Sequence, residues 1–220
     1  MKPIAILAAA GAVLFAVSAC AAAGTAVLPE PDLVANTCSQ CHGDRGISIA
    51  PLFPNLAAQN KDYLVTQLKA FRDHKRGDAH AQAYMWGMAG QLTDDTINDV
   101  AAYFDSLPPP AGATGIDPAE IATGKKIFEN GIDSENVPSC TACHGAAAAG
   151  SSTIPRLAGQ HREYLAAQLL AFRSKQRYND IMSTNVEHMT DEQVRDVSSY
   201  LASLSSPGVV AETAKPADKK

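Results

Sequence analysis

The chain carries Cys38-Ser39-Gln40-Cys41-His42 and, about a hundred residues later, Cys140-Thr141-Ala142-Cys143-His144. A Cys-x-x-Cys-His run is the pattern for covalent attachment of a c-type haem. Two thiols at this spacing each form a thioether to one haem vinyl group. The histidine that follows is then held beneath the porphyrin, where an imidazole nitrogen binds iron. Three other chemistries use paired cysteines. A four-thiolate zinc site would need both pairs together and would leave both histidines without a role. A thioredoxin-like dithiol belongs beside a βαβ pattern, which this sequence lacks. Disulfides closing two-residue loops would staple almost no chain. Two haems, one per motif, account for all six residues.

Laying the second motif on the first exposes an internal duplication. Pro54-Asn55-Leu56-Ala57-Ala58-Gln59 answers Pro155-Arg156-Leu157-Ala158-Gly159-Gln160. Tyr63-Leu64-Val65-Thr66-Gln67-Leu68 answers Tyr164-Leu165-Ala166-Ala167-Gln168-Leu169, and Ala70-Phe71-Arg72 answers Ala171-Phe172-Arg173. Val100, Tyr103, Ser106 and Leu107 answer Val197, Tyr200, Ser203 and Leu204 at an offset shorter by four residues. The first copy therefore holds four extra residues in the polar stretch after Arg72. Expected boundaries are a first domain over 30–107, a Pro-rich linker over 108–116 and a second domain over 117–206. A disordered tail follows over 207–220, rich in Ala, Lys and Pro.

Each copy reads as helical. Leu64, Leu68 and Phe71 recur at i, i+4 and i+7, as do Ile97, Val100, Phe104 and Leu107 in a later stripe echoed by Val194, Val197, Leu201 and Leu204. Thr93 and Thr190 stand where these later helices start, and Thr190 with Gln193 fits a capping box. Pro108 and Pro207 stop them. In the second copy, Pro118 to Asn130 predicts an opening helix ended by Gly131. The first copy has only the short stretch Asp32 to Asn36 and predicts a brief one. The fold class is all-α, two tandem helical domains each wrapped around one covalent haem. Aromatics make up only 6% of the chain, so the haem itself is expected to serve as core, offsetting the weak burial of small domains.

What lies opposite the histidine decides the chemistry. A methionine or second histidine closes the iron for electron transfer, whereas an open position admits substrate. Candidates are Met85, Met88, His74 and His80 after the first motif, and Met182, Met189, His161 and His188 after the second. At the shorter offset Met85 falls on Met182, while Met88 falls on Asn185 and Met189 on Leu92. The histidines do not pair and read as surface residues. Met85 and Met182 are therefore the expected sixth ligands, with Met88 the runner-up. A ligating histidine usually donates its other ring N–H to a fixed acceptor. Pro54 and Pro155, repeated after each motif, offer a carbonyl for this. Tyr63 and Tyr164, Gln67 and Gln168, and Arg72 and Arg173 read as packing and surface residues within reach of a haem propionate.

These motifs together resemble the dihaem cytochrome c family of the c-four type, two class I cytochrome c domains in tandem, over about residues 30–206. The resemblance implies a periplasmic one-electron carrier, often membrane-associated, that feeds terminal oxidases or other respiratory complexes and is not itself an enzyme. A dihaem peroxidase, or the cytochrome subunit of a dehydrogenase complex, is the alternative. The ends and the charge agree with export. Residues 1 to about 23 form a secretory signal: Lys2, then the apolar run Ile4 to Val17, then small residues. Val17-Ser18-Ala19-Cys20 looks like the lipobox of bacterial lipoproteins, which would anchor the protein through a diacylated Cys20. An ordinary cut near Ala21 is the other reading. A formal net charge of −5 with no basic stripe excludes a nucleic-acid partner and favours redox partners with a basic docking patch.

Overall fold

The computed structural model describes residues 27–205. The leader with Cys20, and Pro207 with the tail, lie outside them. Among the described residues the regular elements are helices, with two isolated β-bridges and no strand.

In the first half, helical backbone runs from residue 32 to 42. Its centre, Val34–Cys38, is a π-helical stretch, and Ser39–His42 continues it as one α-turn. The opening helix is thus longer than expected. Pro31 starts it by offering its carbonyl to the N–H groups of Val34 and Ala35, and Val34, 1% exposed, pins it to the core. Helix α1 (Lys61–Arg72) buries Leu64 and Phe71, and α2 (Asp94–Ser106) buries Ile97, Val100, Tyr103 and Phe104. Leu107 and Pro108 end α2 as expected, since proline lacks the N–H to continue the ladder.

The second half opens with α3 (Pro118–Asn130), at the expected residues. The Asp117 carboxylate caps it, Pro118 occupies its first turn, and Gly131 ends it at φ 75°. Then come α4 (Arg162–Arg173), α5 (Asp180–Asn185) and α6 (Asp191–Ser203). Helix α6 is buried on most of its circumference. The α3 backbone crosses it at Gly124, where a Cβ would stand 1.9 Å from the Asp196 carbonyl oxygen. The interdomain segment covers its end, with Ala113 N–H donating to Ala202 O.

The caps were legible. Thr93 Oγ1 accepts from Thr96 N–H, and Thr190 and Gln193 form the full capping box. Thr190→Ala is expected to cost about 1 kcal/mol, read as a lower urea midpoint with unchanged slope.

The four extra residues of the first half fall in a second π-helical stretch, Ala81–Met85, which runs into the α-turn Trp86–Ala89. Before it the two halves stay in register, with positive φ at both His74 and Lys175.

The halves meet across a polar seam with approximate two-fold symmetry. Arg76 lies over the Phe71 ring at 4.6 Å, and Arg177 over Phe172 at 4.4 Å. Arg76 donates to Gln67 of its own half and to Gln168 and Tyr164 of the other. Arg177 donates to Gln168 of its own half and to Tyr63 and Gln67 across the seam. The glutamines of the Pro-x-Leu-Ala motif also cross it. Gln59 Oε1 accepts from Arg156 N–H at 2.7 Å, and Gln160 Oε1 from Asn55 N–H at 2.8 Å.

Candidate functional site

Each Cys-x-x-Cys-His run forms one helical turn, Ser39–His42 or Thr141–His144, ended by a glycine at φ 75° or 73°. At Gly43 a Cβ would lie 1.9 Å from Ile47 O, so only glycine lets the chain leave the turn there. Residues i and i+3 of a helix share a face, so this turn sets both thiols toward one side. All four are free; Cys38 and Cys140 are half-buried, Cys41 and Cys143 exposed. Burial pushes the Cys38 thiol up and that of Cys140 to about 11. No group of three or more His, Cys, Asp or Glu among the described residues is placed to hold a metal ion. That separates the two cysteine pairs and disfavours the zinc reading.

His42 and His144 are each 7% exposed. Their Nδ1 atoms lie 3.0 Å from Pro54 O and 3.1 Å from Pro155 O, the acceptors expected from the sequence. A carbonyl can only accept, so Nδ1 carries the proton and Nε2 keeps its lone pair for a metal. Burial lowers the pKa of both rings, against a smaller opposing effect of the carbonyl. The neutral, ligating form is thereby favoured.

Beside His42 opens an apolar cavity lined by Cys38, Cys41, Leu64, Phe71, Phe104 and Met85, among others. Met85 is half-buried at the end of the π-turn and packs with Phe71, Ala81 and Ala89. Met88 and His80 also line the cavity, but Met88 is 56% exposed. His74 is instead stacked on Trp86, centroids 4.2 Å apart. In the second half Met182 lies in α5 and packs against the core that contains Phe172 and Val197. Asn179 caps α5, its side-chain oxygen accepting from Met182 N–H. Met189, 4% exposed, is itself a core residue. His188 is exposed. His161 is no plain surface residue: its Nε2 donates to Ser48 O across the seam at 2.9 Å.

Two further expectations need correction. Arg72 and Arg173 do not reach toward a haem; they tie α1 to α2 and α4 to α6 through Leu92 O with Asp94 and through Met189 O with Asp191. Tyr63, Tyr164, Gln67 and Gln168 belong to the seam rather than to the surface. Arg76 and Arg177, four residues beyond Arg72 and Arg173, are the buried guanidiniums, and their recurrence was the available signal. Sequence reasoning also missed Trp86, whose indole N–H donates to Arg76 O at 2.8 Å and braces the segment carrying Met85.

Haem fits what is present. The cavity is apolar, paired thiols and a neutral imidazole stand at its edge, and the seam beside it is cationic. Arg76, Arg156 and Arg177 are buried there with a single buried carboxylate, Asp78, 2.7 Å from Arg76. Buried charges require counter-charges, which haem propionates would supply to Arg76 on the cavity wall.

The comparisons agree. The cytochrome c family model matches residues 31–108 and again 121–205. Cytochrome c-552 of Acidithiobacillus ferridurans is 40% identical over 192 residues, 87% of this chain and 84% of that protein. Cytochrome c4 of Pseudomonas aeruginosa is 37% identical, covering 77% and 85% of the two chains. The solved cytochrome c4 of Acidithiobacillus ferrooxidans superposes with a TM-score of 0.73 at 40% identity, over 76% of this chain and 98% of that one. The duplicated motif, the helical fold and these relatives together make the chain a member of the cytochrome c family, a dihaem electron carrier of the cytochrome c4 type with two covalently bound haem c groups.

Proposed function

We propose that both haems are closed on both faces, by His42 and Met85 in a first domain (30–107) and by His144 and Met182 in a second (117–206). Thioethers would form at Cys38 with Cys41 and at Cys140 with Cys143. Each bound haem supplies a one-electron iron couple. The protein's own residues set how it is used. Pro54 O and Pro155 O fix the imidazoles in one tautomer and one orientation. Met85, held by Phe71 and the braced Trp86, and Met182, held by the Asn179-capped α5, would supply soft thioethers, which favour ferrous iron and raise the potential. With the same two ligands in both redox states, such a site would need little rearrangement when an electron enters or leaves. The observation that carries this reading is the paired methionine, placed in the first half on the same cavity as His42.

The chain exchanges electrons with redox partner proteins. A quinol-oxidising complex as donor and a terminal oxidase as acceptor fit a carrier of this kind, reached in the periplasm after export. The secretory leader supports that placement, and Cys20 would give a lipid anchor. No described helix is long and apolar enough to cross a membrane. Carbon monoxide provides the test against a peroxidase-like enzyme. The reduced protein is expected to keep its spectrum under the gas; a shift in either haem band would show an open iron and sink the carrier reading.

A further inference from the structure

Arg156 breaks the two-fold symmetry of the seam. Directly after the proline that holds the histidine, the first half has Asn55 and the second has Arg156. Their backbone N–H groups make equivalent bonds to Gln160 and Gln59. The Asn55 amide donates across the seam to Gly159 O at 3.0 Å, but only the Arg156 guanidinium brings a charge. It turns into the first half, donating to Ala57 O at 3.0 Å and Ala58 O at 3.2 Å, and back to Ala158 O. Arg156 is only 3% exposed. Its partners are neutral carbonyls, and among the described residues no carboxylate stands within ion-pair distance of it. Desolvation pushes its pKa down to about 10, which still leaves it charged at neutral pH.

We propose that Arg156 is a potential-setting residue shared by both haems, a fixed buried cation between the loops that hold the two proximal histidines. Its own backbone follows Pro155, the acceptor of His144. Its guanidinium grips the loop that follows Pro54, the acceptor of His42, and it lines the first cavity. Buried charge is little screened by solvent or salt. Oxidation adds a positive charge at iron, so a cation here favours the ferrous state on both sides of the seam.

The inference rests on the haem positions of the proposed function, and the test separates the two. Arg156→Gln is measured beside the native holoprotein by redox titration of both haems at pH 6, with the spectrum under carbon monoxide recorded in parallel. Expected is an unchanged low-spin spectrum with no gas binding, and a ferrous-to-ferric ratio lowered about tenfold at both haems for a given electrode potential. That corresponds to about 59 mV for a one-electron couple. Arg156→Lys, which keeps the charge but loses the fork, should titrate like the native protein at pH 6 despite lower thermal stability. Raising the pH then discharges the buried lysine and should bring its potentials down relative to native protein at the same pH. This holds even if the glutamine variant does not assemble. Native potentials in Arg156→Gln, potentials in Arg156→Lys as low as those of Arg156→Gln at pH 6, or no divergence from native as that lysine titrates, would each overturn the proposal. Gas binding in native protein would fault the ligation scheme instead.

Discussion

Replacing Met85 or Met182 by leucine is expected to open one haem and leave the other closed. Leucine keeps the volume of methionine, so the packing of Met85 against Phe71 and Ala89, or of Met182 against the second core, survives at a cost below about 1.5 kcal/mol. What disappears is the thioether sulfur. The altered haem should turn high-spin when ferric and bind carbon monoxide when ferrous. Its ferrous-to-ferric ratio at a given potential should fall by roughly a hundredfold, about 118 mV at about 59 mV per tenfold. The partner haem should keep its spectrum. Met88→Leu is the control: that side chain is 56% exposed, and its replacement should leave both spectra as they were. A Met85→Leu protein with an unchanged spectrum would remove Met85 from the ligand set.

The second large effect is expected at Asp78. Its carboxylate and the Arg76 guanidinium form an ion pair with both side chains 6% exposed. Removing one partner of such a pair strands the other charge, a loss of about 3–5 kcal/mol. Arg76 keeps its bonds to Gln67, Gln168 and Tyr164, which puts Asp78→Ala near the lower figure. The pair also makes acid stability predictable. Burial alone would raise the Asp78 pKa, but the Arg76 charge and hydrogen bond outweigh it and hold the carboxyl below its ordinary value. A carboxylate with a depressed folded pKa stabilises fully above its unfolded value of about 3.9 and loses that contribution as pH falls toward the folded pKa. Urea midpoints of native protein should therefore drop below about pH 4. Asp78→Asn should be weaker at pH 7 and show a shallower acid fall. The second half has Asn179 at the corresponding place, where it caps α5 and does not titrate.

These two predictions draw on different depths of the sequence. The expectation for Met85 and Met182 comes from the duplication, which aligns the halves so that one constraint acts on two copies. The threonine caps, the helix over Pro118–Asn130 and the proline carbonyls were legible for a local reason: cap and acceptor lie within a dozen residues of their partners. The seam was not. Tyr63, Gln67 and Arg76 repeat faithfully as Tyr164, Gln168 and Arg177, yet nothing in helical periodicity says that a repeated polar stripe faces its own copy. Only docking the halves shows that each arginine serves the other half's tyrosine and glutamine. The opening helix was underestimated because a π-turn over Val34–Cys38, whose period differs from the 3.6 residues sought, joins it to the α-turn of the motif. Gly124 carries no signal of its own, since a close helix crossing is a tertiary fact.

The proposed ligand sets hold each of two irons between an imidazole and a thioether. Near-infrared magnetic circular dichroism of the oxidised holoprotein reads that pairing directly, because thioether–ferric and imidazole–ferric charge-transfer bands fall at different energies. Two equivalents of histidine–methionine haem per chain are predicted, one lost in Met85→Leu and the other in Met182→Leu. A bis-histidine band, or any high-spin haem in the native protein, would contradict it.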